Sequence, residues 1–171
     1  WKYSESALVD GNQVVITPGG KDGTVVALDR TTGKQLWRTK DWTDAAGYSS
    51  VIIATIEGTR QYIQLTGQSL AGIDPKTGKV LWVAERQGKT AVIPTPVVHD
   101  NVVFVTSGYG VGCNAFRVTK EGDSWKTEEL YANKGIANHH GGVVLLDGHV
   151  FGSTNGAFRC LDLSSGELAF E

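Results

Sequence analysis

The chain has 171 residues, of which 40% are hydrophobic and 22 are glycine, and its formal net charge is −2. A slightly acidic chain lacks the basic surface that nucleic acids and anionic membranes attract, so we expect neither as a partner. No apolar run approaches the roughly 18–20 residues of a membrane-spanning helix, and we expect no membrane insertion. Because methionine is absent, we expect the sequence to be part of a longer translation product.

Short apolar runs separated by Gly, Asn, Asp or Pro predict strands and turns along the whole chain, with no helix. They form four units of four strands, at residues 4–40, 48–86, 92–133 and 136–171. The predicted strands are 7–11, 13–17, 24–28 and 35–38, then 50–56, 61–65, 69–73 and 80–83, then 96–99, 102–106, 115–118 and 128–131, and finally 142–146, 149–152, 157–160 and 167–170. In the third unit we expect a longer turn, at 120–124.

One eleven-residue pattern recurs at the end of these units. It runs Ala-Leu-Asp-Arg-Thr-Thr-Gly-Lys-Gln-Leu-Trp at 27–37 and returns 45 residues later at 72–82, with a partial copy at 160–170. Its repeated positions are Ala27, Asp29, Gly33 and Trp37, then Gly72, Asp74, Gly78 and Trp82, and then Asp162, Gly166 and Phe170. Matching Ala27 with Gly72, Val118 and Cys160 gives steps of 45, 46 and 42 residues. Repetition at this period predicts a β-propeller with one four-stranded antiparallel blade per unit.

The residue types of the pattern indicate a structural role. An Asp at the head of a turn accepts a hydrogen bond from the backbone two residues on, and the Gly supplies a positive φ. A Trp at the end of the outer strand offers a large flat ring and an indole N–H to the neighbouring blade. We therefore predict that Trp37 and Trp82 join blades together, and we assign no catalytic role to the aspartates.

The motif resembles the tryptophan-docking motif of the pyrroloquinoline quinone (PQQ)-like β-propeller repeat family. That family includes quinoprotein alcohol and glucose dehydrogenases and non-enzymatic outer-membrane assembly lipoproteins of the BamB type. The stretches 106–113 and 138–141 further resemble those of uncharacterised secreted bacterial members. The resemblance covers essentially the whole chain and implies the fold, an all-β propeller, but it does not decide between enzyme and scaffold.

Propellers of this family usually have seven or eight blades, so the resemblance implies that the chain is about half a ring. Residues 1–3 read like the end of a preceding blade, with Trp1 standing where Trp37 and Trp82 stand in theirs. Three arrangements remain open: a piece completed by further blades of the same polypeptide, a four-bladed ring closed by residues 1–3, and two copies forming an eight-bladed ring.

Under the resemblance, a dehydrogenase would hold PQQ and Ca²⁺ on the propeller axis through a Glu, an Asn and an Asp. Many alcohol-oxidising members also carry an adjacent Cys-Cys pair, which this chain lacks. None of its carboxylates combines with an Asn into a recognisable set. We predict no cofactor and no metal, and keep PQQ with calcium only for the alternative reading, a PQQ-dependent alcohol or sugar dehydrogenase.

A few polar residues are candidates for lining the central channel: Tyr109, Asn138, His139 and His140. Adjacent residues in an extended segment point in opposite directions, so we do not expect His139 and His140 to bind one metal together. Cys113 and Cys160 are expected to be separate packed thiols.

These observations favour a non-catalytic scaffold or binding module that presents its loops and channel mouth to a protein or peptide partner. The resemblance places such a module outside the cytoplasm, in the periplasm, at the outer membrane or secreted.

Overall fold

The structure is a computed structural model that describes residues 3–154 and 156–171. Within those residues it contains four four-stranded antiparallel sheets and no helix, so none of them could span a membrane as a helix. Trp1 lies outside the described residues, and the prediction made for it stays a prediction. Each sheet takes four consecutive strands in chain order, which is the arrangement of a propeller blade.

Most strand bounds fall close to the predicted runs, but the third and fourth strands of blade 3 are each ten residues long where runs of four were predicted. Blade 1 contains β1 (Leu8–Asp10), β2 (Gln13–Ile16), β3 (Val26–Asp29) and β4 (Gln35–Arg38), and blade 2 contains β5 (Ile52–Ile56), β6 (Thr59–Leu65), β7 (Ser69–Ile73) and β8 (Val80–Glu85). Blade 3 contains β9 (Val97–His99), β10 (Val102–Ser107), β11 (Gly112–Glu121) and β12 (Ser124–Asn133), and blade 4 contains β13 (Val143–Leu146), β14 (His149–Thr154), β15 (Ala157–Asp162) and β16 (Leu168–Phe170).

The hydrophobic core is divided among the three junctions between blades. One cluster, around Val15, Trp37 and Tyr62, joins blades 1 and 2. A second joins blades 2 and 3, and a third, around Phe104 and Leu161, joins blades 3 and 4. Packing sheet against sheet in this way buries apolar surface only where a neighbouring blade is present.

Trp37 joins blade 1 to blade 2, as predicted. Its ring lies against Gly78 at the turn of the next blade, where an added Cβ would come within 2.4 Å of the ring atom Cε3. Its indole N–H donates to the carbonyl of Pro75 at 3.0 Å. Two features require glycine at position 78. Its φ is +72°, and the Trp37 indole leaves no room for a side chain.

Tyr131 makes the equivalent contact between blades 3 and 4, which the motif did not reveal. Its ring lies against Gly166, and its hydroxyl donates to the carbonyl of Leu163 at 3.0 Å. Leu163 and Gly166 follow Asp162 at the same distances at which Pro75 and Gly78 follow Asp74. A phenol therefore replaces the indole at this junction, with the hydroxyl taking the place of the N–H.

The match of Val118 with Ala27 was wrong, and Ala115 is the true counterpart. Ala115 pairs with Tyr131 as Ala27 pairs with Trp37, and a β-bulge follows each of them. The same bulge follows Gly72 and Cys160, so the steps become 45, 43 and 45 residues.

The long turn predicted at 120–124 was also wrong. The strands β11 and β12 pair as far as Glu121 and Ser124, which leaves a two-residue connection. Blade 3 thus extends its outer hairpin where the other blades make the Asp-x-x-Thr-Gly type of turn. Trp82 packs in the core between blades 2 and 3, but its N–H donates to Gln61 of its own blade at 2.7 Å.

The motif aspartates organise the turns through hydrogen bonds to the backbone. Asp29 accepts from the amides of Thr31 and Thr32 and from the Thr32 hydroxyl, at 2.7–3.0 Å, and Asp74 is arranged in the same way. In blade 4 the Ser164 hydroxyl and the Ser165 amide lower the pKa of Asp162 to about 2. The ionised carboxylate is therefore the form that stabilises the turn.

Candidate functional site

The strand directions divide the loops between two ends of the propeller. The connections between second and third strands (17–25, 66–68 and 108–111) share one end with the links between blades (39–51, 86–96 and 134–142), and together we call them the loop face. The first hairpins and the motif turns lie at the opposite end, the turn face. Since the turn face is occupied by the repeated motif, the loop face carries most of the chain's irregular backbone and is the place to look for binding groups.

Two cavities on the loop face lie beside the link from blade 1 to blade 2. The larger, of about 500 Å³, is lined by Tyr3, Pro18–Gly20 and 45–48, and the other, of about 270 Å³, shares 45–48 with residues of the next link. Asp44 fixes this link, because its carboxylate accepts from the hydroxyls of Thr66 and Ser69 at 2.7 and 2.5 Å. The lining of both cavities is mostly uncharged, and the link that Asp44 holds in place forms part of it.

Three of the candidate channel residues form a ring cluster on the loop face between blades 3 and 4. The rings of Tyr109 and His139 meet edge to face with centroids 4.5 Å apart, and those of His139 and His140 are 3.8 Å apart. The expectation that the two histidines point apart was wrong, because residues 136–140 are not in a strand and Gly141 has a φ of +86°. Whether this cluster borders the channel of a closed ring stays a prediction.

Asn138, the fourth candidate, is buried and is not available to line a channel. It is 1% exposed, and its side-chain amide donates to the carbonyl and hydroxyl of Ser153. Its backbone N–H donates to the Thr106 hydroxyl. Asn138 therefore holds the link between blades 3 and 4 in place. Its role is structural, and it is not part of the ring cluster.

A third cavity, of about 300 Å³, lies at the junction of blades 2 and 3 and includes Arg86 and Cys113 in its lining. Sequence reasoning gave Arg86 no role, because a single Arg after an outer strand is an ordinary surface residue by type. Burial raises the pKa of the Cys113 thiol, and both cysteines are free and buried. Cys113 and Cys160 are thus separate packed thiols, as expected.

The outer faces of blades 1 and 4 expose apolar side chains that have no neighbouring blade among the described residues. On blade 4, Val144, Leu146 and Phe158 are 57–65% exposed, and Phe170, at the motif aromatic position, is 49% exposed. On blade 1, an added Cβ at Gly33 would meet no described atom within 4 Å, unlike one at Gly78. Blade 4 thus exposes an aromatic ring at the motif position from which Trp37 contacts the next blade. On blade 1, no described ring lies against Gly33, the counterpart of Gly78.

The described residues bring no three His, Cys, Asp or Glu side chains together in a group that could hold a metal ion. The calcium set of a Glu, an Asn and an Asp belongs to the dehydrogenase alternative and stays a prediction of it. On the loop face, the Asp44 carboxylate is already engaged by the hydroxyls of Thr66 and Ser69.

Comparisons with known proteins agree on the family and the fold. A family model described as "Outer membrane protein assembly factor BamB" matches residues 2–171. A protein of that description from Burkholderia pseudomallei (strain K96243) is 34% identical over 105 residues, which are 61% of this chain and 25% of that protein.

Two solved structures superpose on almost the whole chain. BamB from Moraxella catarrhalis does so with a TM-score of 0.68 at 20% identity, over 96% of this chain and 46% of that one. The computationally designed Ika8 protein does so with a TM-score of 0.59 at 20% identity, over 96% of this chain and 47% of that one. At this identity the two structures show the fold, and the chain spans about half of each.

Proposed function

The chain belongs to the family of outer membrane protein assembly factor BamB, and we propose that it forms part of a non-catalytic propeller that binds a protein or peptide partner outside the cytoplasm. The observation that carries this proposal is the family match, which extends over residues 2–171. The family description names an assembly factor for outer membrane proteins, and the proposed role is of that kind. No cofactor takes part in it.

The geometry supports a binding role in two ways. The loop face has three shallow cavities held by hydrogen-bonded links, and an exposed ring cluster at Tyr109. Rings and backbone groups on a rigid frame are suited to holding an extended peptide. The apolar faces of blades 1 and 4 are, in the same proposal, covered by further blades of the same polypeptide or of a second copy.

Site-specific photo-crosslinking in the native cells tests the partner. A photoreactive amino acid replaces Tyr109 on the loop face, and in a matched variant it replaces Arg30, an exposed residue of the turn face. We expect the Tyr109 position to crosslink to an envelope protein and the Arg30 position to do so far less. Crosslinks of equal yield at both positions would contradict binding through the loop face.

Two further measurements bear on location and on the alternative activity. Fractionation is expected to recover the protein with the periplasm or the outer membrane, and recovery with the cytoplasm would contradict the proposal. Absorbance titration with PQQ and Ca²⁺ is expected to show no saturable binding. Binding with a stoichiometry near one would favour the dehydrogenase.

A further inference from the structure

Arg86 is a buried cation without a carboxylate partner. Its side chain is 3% exposed, and no described carboxylate oxygen lies within 4.0 Å of its guanidinium. Arg60, Arg117 and Arg159 are more exposed, yet each forms an ion pair with an Asp or a Glu. Burying a charge is costly unless it is paired, so Arg86 is the arginine that most needs an anion.

The contacts of Arg86 hold one edge of the guanidinium and leave the other unused. Nε donates to Oδ1 of Asn114 and Nη2 donates to the carbonyl of Gly112, both at 3.1 Å. Nη1 is buried and has no hydrogen-bond partner among the residues that the structure describes. Because Nη1 and the second proton of Nη2 form the outer edge of the planar group, that edge has the geometry that matches the two oxygens of a carboxylate.

Neighbouring groups hold this guanidinium in place and do not neutralise it. Asn114 also donates from Nδ2 to the carboxylate of Glu129, at 3.0 Å. Glu129 therefore reaches Arg86 only through an uncharged amide. Burial lowers the pKa of Arg86 to about 10, which still leaves the side chain charged at neutral pH.

Arg86 is one of the residues that line the cavity of about 300 Å³ at this junction, and because Nη1 itself is buried, the surrounding side chains must shift for a ligand to reach it. The cavity's other charged residues are Glu85, Glu129 and Lys134, all exposed at the rim. Lys134 thus adds a second cation to the buried Arg86, and the Glu129 carboxylate already accepts a hydrogen bond from Asn114. A small anionic group is the ligand whose charge and size fit this arrangement.

We propose that Arg86, with Lys134 at the rim, binds a carboxylate, supplied either by a small organic acid or by an acidic residue or C-terminus of a partner protein. The carboxylate accepts from Nη1 and Nη2 and supplies the missing counter-charge. Such a site depends on the junction of blades 2 and 3 alone. It would exist whether or not the propeller acts as an assembly scaffold.

Thermal unfolding in acetate measures the binding. A ligand at ten times its Kd shifts the folding equilibrium about 11-fold, which raises the Tm of a chain of this size by about 3–6 °C. Sodium acetate replaces sodium chloride mole for mole, so that ionic strength stays constant, and acetamide serves as the neutral counterpart. We expect a saturable rise with acetate and none with acetamide; equal Tm values in all three solutions would overturn the proposal.

Three variants locate the effect. Arg86→Met is expected to abolish the acetate response, whereas Arg38→Met keeps it, because Arg38 is half-buried and donates to the carbonyls of Gly19 and Gly23. Asn114→Asp combined with Glu129→Gln moves a carboxylate onto Arg86 at constant charge, and is expected to fold and to lose the response. This double variant decides the question if Arg86→Met does not fold, and a response retained in it would overturn the proposal.

Peptides distinguish the source of the carboxylate. A tetrapeptide with a free C-terminus is compared with its C-terminal amide, and both are compared with acetate, all against the Arg86→Met variant. A response to acetate alone supports a small organic acid, and an added response to the free-acid peptide supports a partner protein. An equal response to the amide would show that the carboxylate is not the recognised group and would overturn the proposal.

Discussion

Two glycines in equivalent turns allow the docking of Trp37 to be measured against a matched control. Gly33 and Gly78 occupy the same motif position, and their φ values are +71° and +72°. A Cβ added at Gly78 would stand 2.4 Å from Cε3 of Trp37, whereas one added at Gly33 would meet no described atom within 4 Å. The variants Gly33→Ala and Gly78→Ala therefore share the backbone strain and differ only in the contact with Trp37.

The expected loss in the free energy of unfolding combines two costs, backbone strain and overpacking against Trp37. An L-residue in the left-handed region costs roughly 1–2 kcal/mol, and this applies to both variants. Overpacking a closely packed site adds about 1–3 kcal/mol, and this applies to Gly78→Ala alone because Trp37 must move. We expect the free energy of unfolding to fall by about 1–2 kcal/mol for Gly33→Ala and about 2–5 kcal/mol for Gly78→Ala.

Urea denaturation followed by circular dichroism gives both values, and the m-values should match that of the unsubstituted chain. Tryptophan fluorescence in the folded state is expected to change for Gly78→Ala only. Gly166→Ala provides a second case, since a Cβ there would lie 2.7 Å from Cδ2 of Tyr131. Equal losses for Gly33→Ala and Gly78→Ala would refute the docking of Trp37 on the turn of blade 2.

Three more outcomes follow from the same turns. Trp37→Ala should lower the free energy of unfolding by about 3–5 kcal/mol, the usual cost of truncating a buried aromatic, and an unchanged urea midpoint would remove Trp37 from the junction. Tyr131→Phe keeps the ring and loses the hydrogen bond to Leu163, so we expect a loss of about 0.5–1.5 kcal/mol in the same assay. The folded-state pKa of Asp162 is lowered to about 2, so its contribution to stability is present above about pH 4 and is lost as pH falls toward 2. Asp162→Asn should therefore flatten the decline of Tm between pH 4 and pH 2. A decline parallel to that of the unsubstituted chain would contradict this role.

The motif predicted the docking of Trp37 on blade 2 correctly because every group in that contact belongs to the repeated pattern. Trp37, the glycine beneath it and the carbonyl that it reaches are all set by local turn chemistry, which sequence spacing reports directly. Tyr131 escaped prediction because its blade extends the outer hairpin past the usual turn. The pairing of Ala115 with Tyr131 is set by strand register, and a one-dimensional count of residues does not contain register.

The histidine prediction failed for a different reason. Alternation of side chains holds within a strand, but residues 136–140 lie outside the strands, and the backbone turns at Gly141 and Gly142 with positive φ. The rings of His139 and His140 therefore lie in contact, tilted by 40°, where an extended segment would have separated them. Links between blades are long enough to depart from regular geometry, so the loop face is the part of this fold that sequence pattern predicts least well.

Arg86 shows why departures from the repeat are more informative about binding than the repeat itself. Motif residues such as Asp74 and Gly78 have every role filled by the turn and its docked aromatic, so no group is left over to bind a ligand. Arg86, Asn114 and Glu129 lie outside the motif and are joined by hydrogen bonds through Asn114. Within the described residues, Nη1 of Arg86 has no acceptor. A scaffold built from equivalent blades becomes specific only where the blades differ, and in this chain that difference is concentrated on both sides of blade 3. Substitutions in the motif should therefore act on stability, and substitutions that remove the free donor of Arg86 should act on binding.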